Sequence, residues 1–292
     1  MPDPERPRPP GVPPPPGIDL GRGDLTPRHA AEFRNLKRII QAKAGLCCDG
    51  YKERVLRRRI AVRMRAKNVT TFGAYAALLQ KDPGEFDRLI DTVTINVSKF
   101  FRNASTWMLL RDRVVPELFA WDAPVVNIWS AGSAAGEEAY SMAILVLQHA
   151  AEHGGDVDRF RITATDIDDE ILVQARAAEY GAFAFTEMAE VTRDRWFEGP
   201  ERNRLKAEAR TLVQFGKLDL MADPFPHEQH LLMCRNVLIY FERNVQHALF
   251  RRFHEALAPR GFLQLGKVET LFGAPSGLFE TVSARERLFR RP

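Results

Sequence analysis

A chain of 292 residues can bury a large core and is long enough for two domains. Its 45% hydrophobic and 27% charged residues are typical of a soluble globular protein, and no apolar run approaches the roughly 18 residues that a membrane helix needs. The three cysteines, two of them adjacent, exclude a disulfide framework and the usual zinc spacings, and a net charge of +4 is too small to require a polyanionic partner. We therefore expect a cytoplasmic protein.

The first 17 residues hold nine of the 19 prolines, including Pro13 to Pro16. Such a segment favours extended polyproline II and cannot bury a core, so we predict a disordered proline-rich tail over residues 1–24. It does not have the apolar run of a secretory signal. A proline-motif ligand for a partner protein is the alternative.

Residues 25–95 carry the spacing of a small all-helical domain. Thr26 and Pro27 suit the cap and the first position of a helix, and apolar residues between Phe33 and Ile40 recur at helical intervals. Further helices are predicted over Tyr51–Lys67, Thr71–Gln80 and Pro83–Val93.

From residue 96 to residue 292, after a helix over Ala104–Ala120, apolar strands alternate with helices. This alternation predicts an α/β domain with a parallel sheet covered by helices on both faces. A charged stretch at 186–210 does not fit this rhythm. The strands are predicted over Val125–Ser130, Arg161–Thr165, Leu231–Cys234 and Phe262–Leu265.

The segment 128–144, IWSAGSAAGEEAYSMAI, leads from the first of these strands into a helix. Gly132 and Gly136 would let the backbone turn tightly and approach a ligand. Glu137 and Glu138 fall in the first helical turn, where the helix dipole favours acids even without a ligand. Because acids repel phosphate, this turn suits a ligand with an ammonium or sulfonium group, such as the methionine end of S-adenosylmethionine.

Two further polar clusters follow predicted strands. In ITATDIDDEIL, Asp166 ends the second strand, where an acid can accept hydrogen bonds from both hydroxyls of a ribose, while Asp168 and Asp169 suit the start of the next helix. In LLMCRNVLIYF the strand runs into Arg235, whose burial would be costly without a partner. Since ligands of such sheets bind beyond the carboxyl ends of the strands, these clusters predict one site.

In this order, the segments resemble the chemotaxis receptor methyltransferases, the CheR family, over nearly the whole chain from about residue 25. TINVSKFFRN is similar to the family's Asn-x-Thr-x-Phe-Phe-Arg segment, IWSAGSAAGEEAYSMAI to its cofactor loop, and ATDID to its ribose-binding strand. CRNVLIYF and RFHEALAPRGFLQLG continue the series. The resemblance implies a Rossmann-like methyltransferase sheet at 96–292 with a small β insert at about 186–216, preceded by a helical substrate-docking domain at 25–95.

The resemblance also implies the reaction. Methyl groups would pass from S-adenosyl-L-methionine to glutamate side chains of chemoreceptor-type signalling proteins, with S-adenosyl-L-homocysteine as the product and no metal. The partner would be the cytoplasmic helical domain of a chemoreceptor-like protein. We expect a monomer with no nucleic-acid partner and no direct membrane insertion.

Roles follow from the resemblance residue by residue. Glu137 would hold the methionine ammonium and Asp166 the ribose, and Asp219 with Leu220 would border the adenine. The expected cofactor-binding residues are Asn96, Ser98, Arg102, Glu137, Asp166, Asp219, Leu220, Cys234, Arg235 and Asn236. The expected catalytic residues are Arg102 and Tyr240, facing the incoming carboxylate, and Arg235, near the sulfonium.

The chain departs from the family pattern at several positions. Ser98 stands where threonine is usual and Asp219 where asparagine is common, so a hydroxyl and an acceptor are kept. Ser130 and Ser133 stand in place of frequent cysteines. Lys267, in LGKVETL, replaces the histidine of the family's Leu-Gly-His-Ser-Glu segment and leaves the detail of that wall open.

The second predicted helix is strongly basic, with Glu53 as its one acid. Methylation helices of this family's substrates are rich in glutamate, so complementary charge would let the helix dock the substrate. A solvated charged face is the alternative. The expected docking residues are Arg54, Arg57, Arg58 and Arg59.

Two other classes of function stay open. One is a non-catalytic cofactor-binding signalling module. Substitutions at Asn96, Arg102, Glu137 or Asp166 would favour this hypothesis, but all four residues are intact. A nucleic-acid methyltransferase is suggested by the basic helix. However, the chain contains no Asn/Asp-Pro-Pro-Tyr-type segment and no interleaving of aromatic and basic residues suited to single strands.

Overall fold

The computed structural model describes residues 24–94 and 98–292, so the predicted tail lies almost entirely outside the described residues. Among these residues, no helix combines the length and the apolar character that crossing a bilayer requires. The chain divides into two compact units, the first reaching to Asp49 and continuing over Glu53–Val93, the second made of Gly50–Lys52 and Thr94–Pro292. The chain therefore joins the second unit for three residues, returns to the first, and leaves it again.

The described part of the first unit is all-helical, as predicted. Its α-helices are α1 (Pro27–Ala44), α2 (Glu53–Ala66), α3 (Phe72–Lys81) and α4 (Pro83–Thr94). The hydroxyl of Thr26 caps α1 by accepting from the His29 N–H at 3.3 Å. Helix α2 begins at Glu53, two residues later than predicted, because Tyr51 forms a β-bridge with Phe241 and the Lys52 N–H donates to the Tyr240 carbonyl at 2.8 Å.

The core of the first unit encloses one carboxylate. Glu85 on α4 is fully buried, and its two oxygens accept from Nε and Nη2 of Arg63 at 3.0 and 2.6 Å. The Tyr75 hydroxyl donates to the same carboxylate at 2.8 Å. Burial would raise the pKa of Glu85, but the hydrogen bonds from Arg63 and Tyr75 outweigh it and hold the pKa below its ordinary value. The ionised pair is therefore the native form.

We expect Glu85→Ala to lower the free energy of unfolding by about 3 kcal/mol at pH 7, because it leaves the partly buried guanidinium of Arg63 without its carboxylate partner. Since the folded pKa is lowered, this contribution is present above the ordinary value of 4.5 and is lost as the pH falls through the folded pKa. Urea unfolding followed by circular dichroism measures both effects. The exposed Asp87 on the same helix gives the control, Asp87→Ala. Equal stability of the two variants at pH 7 would contradict the prediction.

The second unit is built on a seven-stranded sheet with the order β5-β2-β1-β6-β7-β9-β8. The first five strands in that order are parallel, and β9 is antiparallel to both of its neighbours. Strand β1 is central: its Ile128 is in register with Ile162 of β2 on one side and Leu231 of β6 on the other. The main-sheet strands are β1 (Val126–Ala131), β2 (Phe160–Asp166), β5 (Val213–Lys217), β6 (Gln229–Cys234), β7 (Leu257–Leu265), β8 (Glu280–Ser283) and β9 (Leu288–Arg290).

Helices connect and cover the strands, and this α/β architecture confirms the predicted fold class. A π-helical turn at Leu110–Val114 joins α5 to α6, where the sequence predicts one interrupted helix. The helices of the second unit are α5 (Ala104–Leu109), α6 (Val115–Phe119), α7 (Glu137–His153), α8 (Asp169–Ala177), α9 (Glu190–Trp196), α10 (Ala207–Arg210) and α11 (Arg243–Ala256). The chain order reverses at β1, which opens a crevice beyond the carboxyl ends of β1, β2 and β6.

The predicted insert is smaller than 186–216. In the described part of that stretch, the strands outside the main sheet form one hairpin of two residues each, β3 (Phe197–Glu198) and β4 (Arg204–Leu205), and the helices α9 and α10 flank it. Residues from Val213 onward belong to the edge strand β5 of the main sheet. The charged residues around β5 hid this strand, because an edge strand buries only part of its length.

Candidate functional site

The turn between β1 and α7 depends on two glycines. Gly132 has φ 73°, and a Cβ there would lie 2.5 Å from Cγ2 of Val237. Gly136 has φ 89°, and a Cβ there would lie 2.8 Å from the Phe215 ring. The Gly132 N–H donates to the Thr165 carbonyl at 2.8 Å, which ties the turn to the end of β2. Both positions therefore require glycine for conformation and for space.

Asp166 ends β2 with a buried carboxylate. It accepts hydrogen bonds from the backbone N–H groups of Ala134 at 2.9 Å and Asp168 at 3.2 Å. Burial raises the pKa of Asp166, and these hydrogen bonds oppose the rise. Asp168 caps α8 by accepting from the N–H groups of Glu170 and Ile171, which confirms its predicted structural role.

Glu137 is the first residue of α7 and is 5% exposed. Burial raises the pKa of its carboxyl to about 7, although a hydrogen bond from Ser98 acts in the opposite direction. Its Oε2 has no hydrogen-bond partner among the described residues. Since a buried acceptor is seldom left unsatisfied, this oxygen points to a ligand donor, and its charge favours a cation.

The adjacent Glu138 has a different environment. Its Oε1 accepts from the Ser130 hydroxyl at 2.8 Å, and its Oε2 accepts from Nη1 of Arg235 at 3.1 Å. The side chain of Arg235 is only 2% exposed, and its Nη2 also donates to the Arg102 carbonyl at 2.7 Å and to Oδ1 of Asn103 at 3.2 Å. The expectation that a buried Arg235 needs a paired charge is confirmed.

Glu269 organises the turn after β6, and sequence reasoning did not single it out. Its buried carboxylate accepts from the backbone N–H groups of Gly266 at 2.6 Å, Asn236 at 2.9 Å and Leu238 at 2.7 Å. Burial raises the pKa of Glu269, and the three hydrogen bonds oppose the rise. Asn236 has φ 63°, so this carboxylate holds a left-handed backbone in place. The signal was present in the sequence, as the final glutamate of the Leu-Gly-His-Ser-Glu-like segment.

One cleft of the second unit collects most of the predicted residues. Ser98, Arg102, Asp166, Asp219, Leu220, Arg235, Asn236 and Tyr240 line it, together with Tyr51, Thr94, Lys99, Gly132, Ser133, Ala134, Glu138, Ile167, Leu218, Val237 and Phe241. Glu137 lies behind this lining and touches it through Ser98. Cys234 is fully buried within β6 and is not part of the lining, so any role in the cleft would fall to its backbone. Asn96 lies outside the described residues.

Both the segment that forms the cleft and the helical segment before it match known protein families. Residues 96–288 match the SAM-binding domain of the CheR methyltransferases, and residues 31–94 match the all-alpha domain of the same proteins. The chain belongs to the CheR methyltransferase family. It is accordingly an S-adenosylmethionine-dependent methyltransferase, and the family resemblance read from the sequence is confirmed.

Curated relatives extend over most of the chain. It is 32% identical to the chemotaxis protein methyltransferase of Listeria innocua, over 85% of this chain and 93% of that protein. It is 31% identical to the chemotaxis protein methyltransferase of Escherichia coli, over 82% of this chain and 84% of that protein. Both units of the chain therefore have counterparts in these CheR relatives.

The CheR cofactor fits the groups that the cleft presents. S-adenosylmethionine carries a cationic ammonium, which the buried carboxylate of Glu137 beside the cleft could accept, and a ribose, whose hydroxyls the Asp166 carboxylate at the end of β2 could accept. The Ser133 hydroxyl, like Oε2 of Glu137, is buried without a hydrogen-bond partner in the described part of the chain. A ligand with several hydrogen-bond donors would satisfy these two acceptors at the glycine turn.

We expect cofactor affinity to fall about fivefold from pH 7 to pH 6 and to approach tenfold per unit below that. The reason is that the Glu137 carboxyl has a pKa of about 7 without the ligand and must lose its proton to meet an ammonium. Calorimetric titrations with S-adenosylhomocysteine, which keeps the ammonium, measure the profile. Glu137→Gln is the control, since it removes this titration. An equal slope in that variant would contradict the assignment.

Lys267, the main departure from the CheR pattern, points away from the cofactor residues. Its Nζ donates to the Ser105 hydroxyl at 2.6 Å and forms an ion pair with Glu286 at 3.3 Å. The Thr106 hydroxyl donates to the same Glu286 carboxylate at 2.7 Å. Lys267 is absent from the lining of the cleft. Its side chain therefore links the start of α5 to the turn between β8 and β9, and it does not form part of the cleft wall.

The four predicted docking residues on α2 have different environments. Arg54 and Arg58 are exposed. Arg57 is buried, with Nη1 3.6 Å from the Glu53 carboxylate, and Nη1 of Arg59 donates to the Thr92 carbonyl at 3.0 Å. Of the four predicted residues only Arg54 and Arg58 are exposed, so the prediction is corrected at Arg57, which is buried, and at Arg59, which is half-buried and bonded to α4. The periodicity of the basic residues did not reveal this, because long arginine side chains can fold back onto their own helix and its neighbours.

Proposed function

We propose that this CheR methyltransferase acts on proteins and that its methyl acceptor is the side-chain carboxylate of glutamates in chemoreceptor-type signalling proteins. The observation that carries the proposal is the position of Arg102 and Tyr240 in the same cleft as Asp166 and Asp219. A guanidinium and a phenol beside these acids can bind an incoming carboxylate next to a cationic cofactor. The names of the relatives, chemotaxis protein methyltransferases, support a chemotaxis substrate.

The cofactor supplies a methyl group bound to a positively charged sulfur, which a carboxylate oxygen can attack. We assign the ammonium of the cofactor to Glu137, its ribose to Asp166, and its adenine to the wall at Asp219 and Leu220. Oδ1 of Asp219 accepts from the Met221 N–H at 2.8 Å, which fixes this turn at the cleft. Asn96 and Ser98 complete the proposed set, Ser98 by its hydrogen bond to Glu137.

The acceptor needs orientation more than activation. A glutamate is already ionised near pH 7, so the transfer requires no general base. Arg102 attracts and aims the carboxylate, and Tyr240 can donate a hydrogen bond to one oxygen while the other attacks. Arg235 was expected among the catalytic residues. Because its guanidinium is taken up by Glu138 and the Arg102 carbonyl, we assign it a supporting role instead.

Substrate docking is proposed for the exposed pair Arg54 and Arg58. Reversing both to glutamate should raise the KM for the protein substrate about tenfold and flatten its salt dependence, because opposite charges on the two proteins accelerate encounter. Initial rates at 50 and 300 mM NaCl measure the effect. Arg34 and Arg38, exposed on α1 at the same spacing, provide the control double reversal. If the two double variants behave alike, α2 is not the docking face.

The decisive experiment is transfer of a radiolabelled methyl group to the cytoplasmic domain of a chemoreceptor. The proposal expects label that is released by mild base, as a methyl ester is, and that disappears when the candidate glutamates of the receptor are replaced by alanine. Base-stable label would contradict the carboxylate acceptor. Tight cofactor binding without transfer to any receptor domain would favour the non-catalytic signalling module.

A further inference from the structure

Arg102 is carried on a backbone segment with an unfavourable conformation. We call this segment, Lys99–Asn103, the arginine arm. Its residues Phe101 and Asn103, on either side of Arg102, have φ values of 52° and 64°. Asparagine adopts this left-handed region readily, but it is unfavourable for phenylalanine, so the surrounding structure must impose the conformation at Phe101.

Three parts of the second unit, α7, α5 and the residue after β6, hold the middle of the arm. The Phe101 N–H donates to Oγ of Ser141 on α7 at 3.0 Å. The Arg102 carbonyl accepts from Nη2 of Arg235 at 2.7 Å and from Nε1 of Trp107 at 3.0 Å. These contacts fix the centre of the arm, and Nη2 of Arg235 also donates to Oδ1 of Asn103 at 3.2 Å, but the Asn103 N–H and the Lys99 ammonium are left to another group.

A single carboxylate reaches both ends. Oε2 of Glu187 accepts from the Asn103 N–H at 2.8 Å, and its Oε1 lies 3.6 Å from Nζ of Lys99. Three residues before Glu187, the Ala184 carbonyl accepts from the Phe100 N–H at 2.9 Å. Glu187 therefore stands on a segment that is itself joined to the arm.

The segment that carries Glu187 is well anchored. Phe185 stacks on Phe100 of the arm, with ring centroids 5.6 Å apart and planes within 8°. Phe197 of the hairpin packs edge-on against both rings at 4.9 and 5.0 Å. Because this aromatic cluster is buried, the carboxylate of Glu187 is presented from a rigid base, although its side chain is about one-third exposed.

We propose that Glu187 is a positioning residue for Arg102, closing the arginine arm at both ends so that the guanidinium is held ready for the acceptor carboxylate. Glu187 is not among the residues that line the cleft, so it acts through the arm and not on the reacting atoms. This inference rests on the proposed function, because it assigns Arg102 to the methyl acceptor.

Kinetics of four variants test the proposal. Glu187→Ala should lower kcat about tenfold and leave the affinity for S-adenosylhomocysteine within twofold, since the arm loses order while the cofactor residues are untouched. Glu187→Gln should recover most of the loss, because its amide oxygen still accepts from the Asn103 N–H. In an Arg102→Ala background, Glu187→Ala should reduce kcat by less than twofold further. Equal losses with and without Arg102 would overturn the proposal.

Hydrogen exchange gives a second measurement that does not depend on activity. The amides of residues 100–103 should exchange at least fivefold faster in Glu187→Ala than in the wild type. Glu190→Ala, an exposed glutamate three residues further along, should leave them unchanged. Unchanged exchange in Glu187→Ala would overturn the proposal. If the wild type itself transfers no methyl to a receptor domain, the proposed function fails, and this comparison still decides whether Glu187 orders the arm.

Discussion

Replacing Arg102 by alanine should lower methyl transfer at least about a hundredfold while cofactor affinity stays within about threefold. Removing one well-placed charged donor from a reacting group costs on the order of 10² to 10³ in turnover. The cofactor assignments rest on Glu137, Asp166 and Asp219, all of which are kept in this variant. Turnover and calorimetric affinity, measured on one preparation, separate the two effects.

A matched control is available on the following helical segment. Arg113→Ala removes an equally long, exposed cation close to the arm in sequence and should change neither quantity by more than twofold. Equal losses of turnover and affinity in Arg102→Ala would show that Arg102 serves the cofactor alone, and the acceptor would then need another cationic partner.

Replacing Asp166 by alanine should weaken binding of S-adenosylhomocysteine by about a hundredfold. Hydrogen bonds to a charged acceptor contribute about 1.5–3 kcal/mol each, and a ribose offers two hydroxyl donors. Asp166→Asn should lose less, because the amide oxygen still accepts while the charge is gone. Calorimetry of the three proteins gives the affinities.

Folding must be checked in this series, because the Asp166 carboxylate also accepts from the Ala134 and Asp168 backbones. Circular dichroism melting identifies any variant that has lost the glycine turn. Asp169→Ala, which removes an exposed acid three residues later, is the control and should bind normally. Unchanged affinity in a folded Asp166→Ala protein would refute the ribose assignment.

The parts of the site that the sequence predicts are those encoded within a few residues. The glycine turn with its two acids and the strand-end position of Asp166 follow from local patterns, since strand, turn and helix signals are adjacent in the chain. Even the need for a partner at Arg235 follows from the cost of burying its charge. The identity of that partner, Glu138, does not, because 97 residues separate the two.

What the sequence could not predict depends on contacts over long separations. Glu269 reaches the turn at Asn236 across 33 residues, and Glu187 reaches Asn103 across 84. In its local pattern Glu187 is an ordinary surface acid, and the motif that contains Glu269 does not show which backbone groups it contacts. For the basic helix α2 the prediction overestimated exposure. Its charge pattern suggests one uniform exposed face, whereas Arg57 is buried and Arg59 donates to the Thr92 carbonyl. Local sequence patterns predict helices and strands, whereas the partners of a side chain depend on tertiary packing.

The three residues Gly50–Lys52 have a consequence for how this enzyme can be dissected. They belong to the methyltransferase unit, where the Glu242 N–H donates to the Gly50 carbonyl at 2.9 Å and Tyr51 lines the cleft. A truncated chain that begins at residue 94 would therefore lack part of its own cleft wall. The same threading restricts gene fusion and domain shuffling, because a single cut cannot separate the two units. An exchanged helical module would have to bring a compatible Gly-Tyr-Lys loop with it.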